Sequence, residues 1–190
     1  MNESMNLQHV NVKIFVDGEL SVELNRFIEL FHEWITRDAI DEMLLDVVDY
    51  RHVPNGPSVM LIGLEADYSI DHADGQYGLV YNRKAPLNGT NCDRFLHSLR
   101  SAARACLLLE SELEDLRFSR HRFELLINDR ALAPNNAETR SAFESDLSAL
   151  MKSVGGGSDF SFDSSEDPRL RVGALVQLEA ALELDRIGET

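Results

Sequence analysis

Leu61-Ile62-Gly63-Leu64-Glu65-Ala66 and Leu175-Val176-Gln177-Leu178-Glu179-Ala180 repeat one pattern at two places in a chain of 190 residues. Each closes a unit that reads strand, helix, strand, strand. The helix of the first unit carries Phe27, Phe31, Trp34 and Ile35 at i, i+4, i+7 and i+8. The helix of the second carries Phe143, Leu147, Leu150 and Met151 at the same spacings. That spacing lays the apolar side chains along one helical stripe. The match predicts two βαββ repeats, at about 12–67 and 123–181, inside a single compact domain over 1–190. Any functional site is expected near the junction of the two halves.

The rest of the chain fits around these units. Val12-Lys13-Ile14-Phe15-Val16 is a strand by its β-branched content. Ser21 is placed to cap the helix that follows, which continues to about Arg37. Met43–Val53 reads as the second strand, and Pro54-Asn55-Gly56-Pro57 forces a turn. Ser58–Asp71 reads as one long strand. Asp74-Gly75 is a type I′ hairpin signal, with Gln76–Lys84 returning antiparallel. Thr90 caps the longest helix, to about Asp115, with Phe95, Leu99, Ala102, Ala103, Cys106 and Leu109 as its stripe. Phe123–Asp129 is a strand. Asn135 and Glu138 form a capping pair for the third helix, which Gly155-Gly156-Gly157 stops. A short strand holds Phe160 and Phe162, Glu166-Asp167-Pro168 turns, and Leu170–Glu179 closes the chain. The predicted class is α+β, a mostly antiparallel sheet with helices on one face. A hairpin strand and long helix, about 68–122, join the repeats.

Composition excludes several functions. The chain has 33 Asp and Glu against 18 Lys and Arg, a formal charge of -15. Such a surface repels phosphate backbones and anionic headgroups, and no basic stripe offsets it. Nucleic acid and membrane are therefore not expected partners, and no apolar run approaches the ~20 residues of a membrane span. Cys92 and Cys106 lie 14 residues apart in one predicted helix. At ~1.5 Å rise per residue they are ~21 Å apart, beyond the ~7 Å limit for a disulfide. They read as small core thiols of a reducing, cytoplasmic compartment. Nucleotide-binding glycine loops, a nucleophile elbow and zinc-spaced cysteine pairs are all missing from the sequence. No metal and no cofactor are expected.

Three places carry candidate chemistry. Asp46, within Leu44-Leu45-Asp46-Val47-Val48, sits in a run apolar on both faces, so its carboxylate needs a partner, a proton or a function. His52 faces the same side but lies ~20 Å along the extended chain, too far to share an ion with it. His32 borders the first helix's apolar stripe. Asp46 and His32 are the candidate catalytic residues, as proton acceptors. The third place is the hairpin. With Asp74-Gly75 as its loop, opposed residues sum to 149, so Tyr68 meets Tyr81 and Ile70 meets Leu79. One face then carries Tyr68, Tyr77, Tyr81 and Arg83. The plain reading is a core face under a helix; the sharper ones are a subunit interface or a ligand cleft with Arg83 anchoring an anion. The opposite face, with Glu65, Asp67, Ser69, Asp71, Asn82 and Lys84, reads as a solvated ladder with a Glu65–Lys84 ion pair.

Phe31-His32-Glu33-Trp34-Ile35, Asp46–Pro57, Leu61-Ile62-Gly63 and Gly78–Lys84 together resemble a family of uncharacterised bacterial proteins. These stretches lie within residues 31–84, about a third of the chain. The chain departs from the family pattern at Ser58, where that pattern has glycine, and at Leu64, where it has histidine. The resemblance implies a bacterial, cytoplasmic origin and assigns no reaction. The leading expectation is a protein that acts by binding, through self-association as a homodimer or docking of a protein partner. The alternative is a small-molecule enzyme or ligand sensor with its cleft between the two halves.

Overall fold

Strand β1 (Val10–Val16) alternates, sending Val10, Val12 and Ile14 to one side and Asn11 and Lys13 to the other. That two-residue period organises the whole molecule. The structure is a computed structural model that describes residues 5–154, 158–162, 167 and 169–183. The further elements are α1 (Leu24–Thr36), β2 (Leu44–Asp49), β3 (Pro57–Gly63), β4 (Ala66–Asp71), β5 (Gly78–Arg83) and α2 (Asn91–Glu112). Then follow β6 (Phe118–Ile127), α3 (Ala137–Ser153), β7 (Ser158–Phe162) and β8 (Gly173–Leu178). The described residues form one eight-stranded sheet in the order β2-β3-β4-β5-β1-β6-β8-β7. Every neighbouring pair is antiparallel.

The register runs a continuous apolar rung across the sheet. Leu61 pairs with Tyr68, Tyr68 with Tyr81, Tyr81 with Val12, Val12 with Leu125, and Leu125 with Ala174. All six are buried, in one core with Phe27, Phe31 and Trp34 of α1, Phe95, Leu99 and Cys106 of α2, and Phe143 and Leu147 of α3. The helices therefore lie on this face, as an α+β plan requires. Helix α1 packs on β2 and β3, α2 lies over β1, β5 and β6, and α3 leans on α2. The Phe95 and Phe143 rings meet edge to face at 5.4 Å. Trp34 donates its indole N–H to Glu112 at 2.9 Å, tying α1 to the end of α2.

Local signals fix the helix ends. Thr90 caps α2 in a reciprocal box with Asp93: the Asp93 N–H donates to the Thr90 hydroxyl, and the Thr90 N–H to the Asp93 carboxylate. Cys92 and Cys106 are both in this helix, and both thiols are free. Helix α1 begins at Glu23 with no side-chain cap, so Ser21 does not cap it. Asn136 caps α3, accepting from the Thr139 N–H at 2.9 Å. Asn135, the expected cap, instead accepts from the Arg140 guanidinium.

Three expectations need correction. Residues 58–71 are not one strand but the hairpin β3–β4, reversing at Gly63-Leu64-Glu65-Ala66. Its backbones close so tightly that a Cβ on Gly63 would sit 2.4 Å from the Ala66 carbonyl oxygen. The Leu64 N–H is taken up by the Met43 carbonyl rather than by a turn partner. Next, the two halves are not built alike throughout: β8 pairs directly with β6, but β4 and β5 stand between β3 and β1. Last, β6 starts at Phe118, earlier than its apolar run suggests, because it pairs with β1 through a bulge near Val16. The expected stop at Gly155–Gly157, and Glu166 and Pro168 of the expected turn, lie outside the described residues. No helix among the described residues is long and apolar enough to cross a membrane.

Candidate functional site

The hairpin register is as its turn implies. Asp74 and Gly75 take left-handed φ values of 58° and 72°, the backbone of a type I′ turn. Tyr68 and Tyr81 are directly opposed, their rings 5.2 Å apart and nearly edge to face. Both are buried beneath α2 and the segment before β2. Both hydroxyls donate to Glu42, that of Tyr81 at 3.0 Å. His97 of α2 reaches the Tyr81 oxygen at 3.3 Å. Burial, with Glu42 adding to it, pushes both phenols well above their ordinary value, so they stay neutral donors. Burial, and then Arg83, push His97 below its ordinary value. A cleft of about 340 Å³ opens beside this cluster, with Ser101 and Arg104 in its wall. The arrangement clamps the segment carrying Glu42 to the sheet, and its phenols are no nucleophiles.

Of the other predicted residues, Arg83 borders this cluster beside Tyr81 and His97, and the rest lie away from it. Arg83 is buried and ion-paired with Glu65 at 3.0 Å, its Nε donating to the Ala85 carbonyl. Lys84, the expected partner of Glu65, pairs with Asp67 at 2.6 Å. Glu65 lies in the β3–β4 turn, where strand alternation no longer dictates its side. Tyr77 precedes β5 and stacks on His72 at 4.2 Å, about 13 Å along the chain from Tyr81. Asp46 is exposed, and its carboxylate folds back to accept the Val47 N–H at 2.8 Å. It sits at a bulge in β2, the outer strand of the sheet, so the run read as apolar on both faces has one face in water. His32 is exposed on α1. Neither joins a group of converging side chains, and Asp49 is taken by Arg51 in an exposed pair that holds its carboxyl down at about 2.

The polar face of the sheet is not the solvated ladder expected. No helix among the described residues covers it, yet Asn11, Lys13, Asp67, Ser69 and Asp71 are all buried. Asn11, Lys13, Ser69 and Asp71 lie on the floor of a trough of about 550 Å³ walled by the Asn55-Gly56-Pro57 turn, Asp74 and the Leu170-Arg171 segment. One rung of this face runs Met60, Ser69, Val80, Lys13, Glu124 and Leu175. Lys13 and Glu124 are thus direct cross-strand neighbours, β1 against β6, at the junction between the halves.

Lys13 does not turn to Glu124. Its ammonium pairs with Asp71 at 2.7 Å and donates to the Ala73 carbonyl at 3.1 Å. Gly78 opens that path, because a Cβ there would lie 2.9 Å from the Lys13 side chain and 2.8 Å from the Ile14 carbonyl oxygen. On the floor, Glu124 and Asn11 carry acceptors that no donor among the described residues meets. Glu124 makes no hydrogen bond or ion pair, and burial raises its carboxyl above the ordinary value, opposed by Lys13 and aided by Asp74. The Asn11 side-chain oxygen is buried and unpartnered. A sequence signal for this site existed in Lys13, a lysine amid Val12, Ile14 and Phe15. Its alternation matched that of an ordinary wet face.

Among the described residues, no group of three His, Cys, Asp or Glu side chains is placed to hold a metal ion. No protein-family model, curated protein or solved structure matches the chain.

Proposed function

We propose that the protein acts by binding a small polar molecule in the trough across the β1–β6 junction. The observation that carries this reading is the buried, unpartnered Asn11 Oδ1, with the half-buried Glu124 carboxylate near it free of hydrogen bonds and ion pairs among the described residues, beside a buried Lys13–Asp71 pair. Buried polar atoms are ordinarily satisfied within a fold, and a concave site with a few such groups is where a ligand supplies what is missing. The trough spans the two halves, as expected of a cleft between repeats. We take β1-α1-β2-β3 and β6-α3-β7-β8 as copies of one unit, with β4 and β5 inserted in the first. In support, the strand following the helix is outermost in both. The stretches resembling a bacterial family, Asp46–Pro57 and Gly78–Lys84, supply the Asn55–Pro57 wall and Asn82. An origin in that family, and a cytoplasmic location, belong to the same reading.

The test is a screen of small polar molecules by amide chemical shifts. Saturable shifts at Asn11, Lys13, Ser69 and Glu124 are expected. Hits confined to Ser101 and His97 instead would move the function to the tyrosine cleft.

A second reading, docking of a protein partner or a second copy, has one observation of its own. Met43, Leu45 and Leu64 are 62%, 51% and 60% exposed at the β2 edge. Against self-pairing, β2 carries a bulge, Asp46 and Asp49, features that blunt an edge strand. Leu45→Asp should lower the solution mass if that edge is the interface. Both readings retain the expectation, from the charge of -15, that nucleic acid is not a partner.

A further inference from the structure

The trough's floor is asymmetric in what it lacks. Its strongest donor, the Lys13 ammonium, is already engaged by Asp71 and the Ala73 carbonyl. What remains open are acceptors. Glu124 lies across from Lys13, and Asn11 lies across from Leu126, two positions along β6 from Glu124. Asn11 and Glu124 are therefore diagonal neighbours on one face, about 7–8 Å apart at Cα, within reach of one donor group when the longer Glu124 side chain leans toward Asn11. Charge points the same way. Asp71, Asp74 and Glu124 face the trough with Lys13 and Arg171. Lys13 is matched by Asp71, and Arg171 is exposed at the rim with a bond to Asn128 at 3.4 Å. Asp74 is exposed at the turn, whereas Glu124 is a half-buried carboxylate on the strand floor without a hydrogen bond or ion pair among the described residues.

Resting on that reading of the trough, we propose that its ligand carries a protonated amine, which sits between the Glu124 carboxylate and the Asn11 side-chain oxygen. An alkylammonium has three donors and no acceptor, so it matches a carboxylate and an amide oxygen together. A neutral hydroxyl supplies hydrogen bonds without the charge, and a carboxylate supplies neither. Asn11 is 94% buried by residue area and its oxygen is unpartnered, so this is more than a patch of acidic residues.

Three probes on one four-carbon frame separate the possibilities: 1,4-diaminobutane, 1,4-butanediol and succinate, titrated against the whole chain and followed by amide chemical shifts. Saturable shifts of Asn11, Lys13 and Glu124 are expected with the diamine. In Glu124→Gln, whose remaining spectrum reports an intact fold, affinity should fall roughly tenfold or more, as loss of a charge-assisted hydrogen bond implies. If butanediol or succinate occupies the trough as tightly as the diamine, the amine inference fails and the trough reading stands. If no probe moves these residues, both fail. Both fail equally if diamine binding is diffuse over the acidic surface, screened by salt and unchanged in Glu124→Gln.

Discussion

Two adjacent rungs of the sheet differ in how they end up satisfied. On the helix side, Leu61, Tyr68, Tyr81, Val12 and Leu125 are buried by helices, and the polar atoms among them, the two phenol hydroxyls, both donate to Glu42. On the other side, Ser69, Lys13 and Glu124 stand one residue along, with no helix of the described residues above them. Lys13 is as buried as a core residue, but Glu124 has no hydrogen-bond or ion-pair partner among the described residues. On this closed rung the chain itself pairs the phenols; on the open face Glu124 and Asn11 keep acceptors that no donor among the described residues meets. The contrast separates a cluster that holds the fold from one that is available to a ligand.

The largest expected effect tests the closed face. Tyr81→Ala should cost about 4 kcal/mol in urea unfolding, since it empties a ring-sized site in the core and removes a donor from Glu42. Tyr77→Ala, which removes a half-buried ring stacked on His72, should cost under about 1 kcal/mol. Equal effects from the two would abolish the distinction between cluster and periphery. Next comes the buried ion pair of the open face. Lys13→Met should cost about 3 kcal/mol, because Asp71 is left as a buried, unmatched charge. Adding Asp71→Asn keeps an acceptor for the Ala73 N–H and should restore roughly half of that loss. No recovery in the double variant would mean that the Lys13 stem, not its charge, matters.

Much of this architecture was legible because it rests on local chemistry. Asp74-Gly75 both adopt positive φ, so one dipeptide set the register of β4 and β5 and brought Tyr68 onto Tyr81. Thr90 and Asp93 likewise announce the start of α2. Thr90→Ala should cost about 1 kcal/mol, seen as fraying of the first turn of α2 by hydrogen exchange while the sheet amides are unaffected. The turn at Gly63-Leu64-Glu65-Ala66 was not legible, since Leu64 is an exposed apolar residue and no Asn-Gly or Asp-Gly marks the reversal. With it went the separation of β3 from β4. The trough was hidden for a different reason. Alternating polar residues look the same on a flat wet face and on the floor of a cleft; the difference is made by Asn55–Pro57 and Leu170–Arg171, far away in sequence. Asp46 misled in the reverse sense, because burial of a strand depends on whether it is an edge, which β2 is.

The smallest effect is the one that reads the open face most directly. Burial raises the Glu124 carboxyl in the folded chain above its unfolded value, about 4.3 for a free glutamate. Between those two values the folded state holds more proton than the unfolded state, so stability falls as pH rises through the window. Above the window the full cost of keeping an unpartnered carboxylate half-buried is present; it fades as the pH falls well below the unfolded value, where both states become protonated. Glu124→Gln removes that cost while keeping the shape. The variant should therefore melt higher than the parent at pH 7, by a margin that shrinks to nothing as the pH is lowered through the window. Saturating 1,4-diaminobutane should reverse the order at pH 7, since only the parent offers the amine a charge. A margin independent of pH, or a variant that melts lower at pH 7, would mean that Glu124 is held by a charge partner within the fold. The open face would then be as self-satisfied as the closed one.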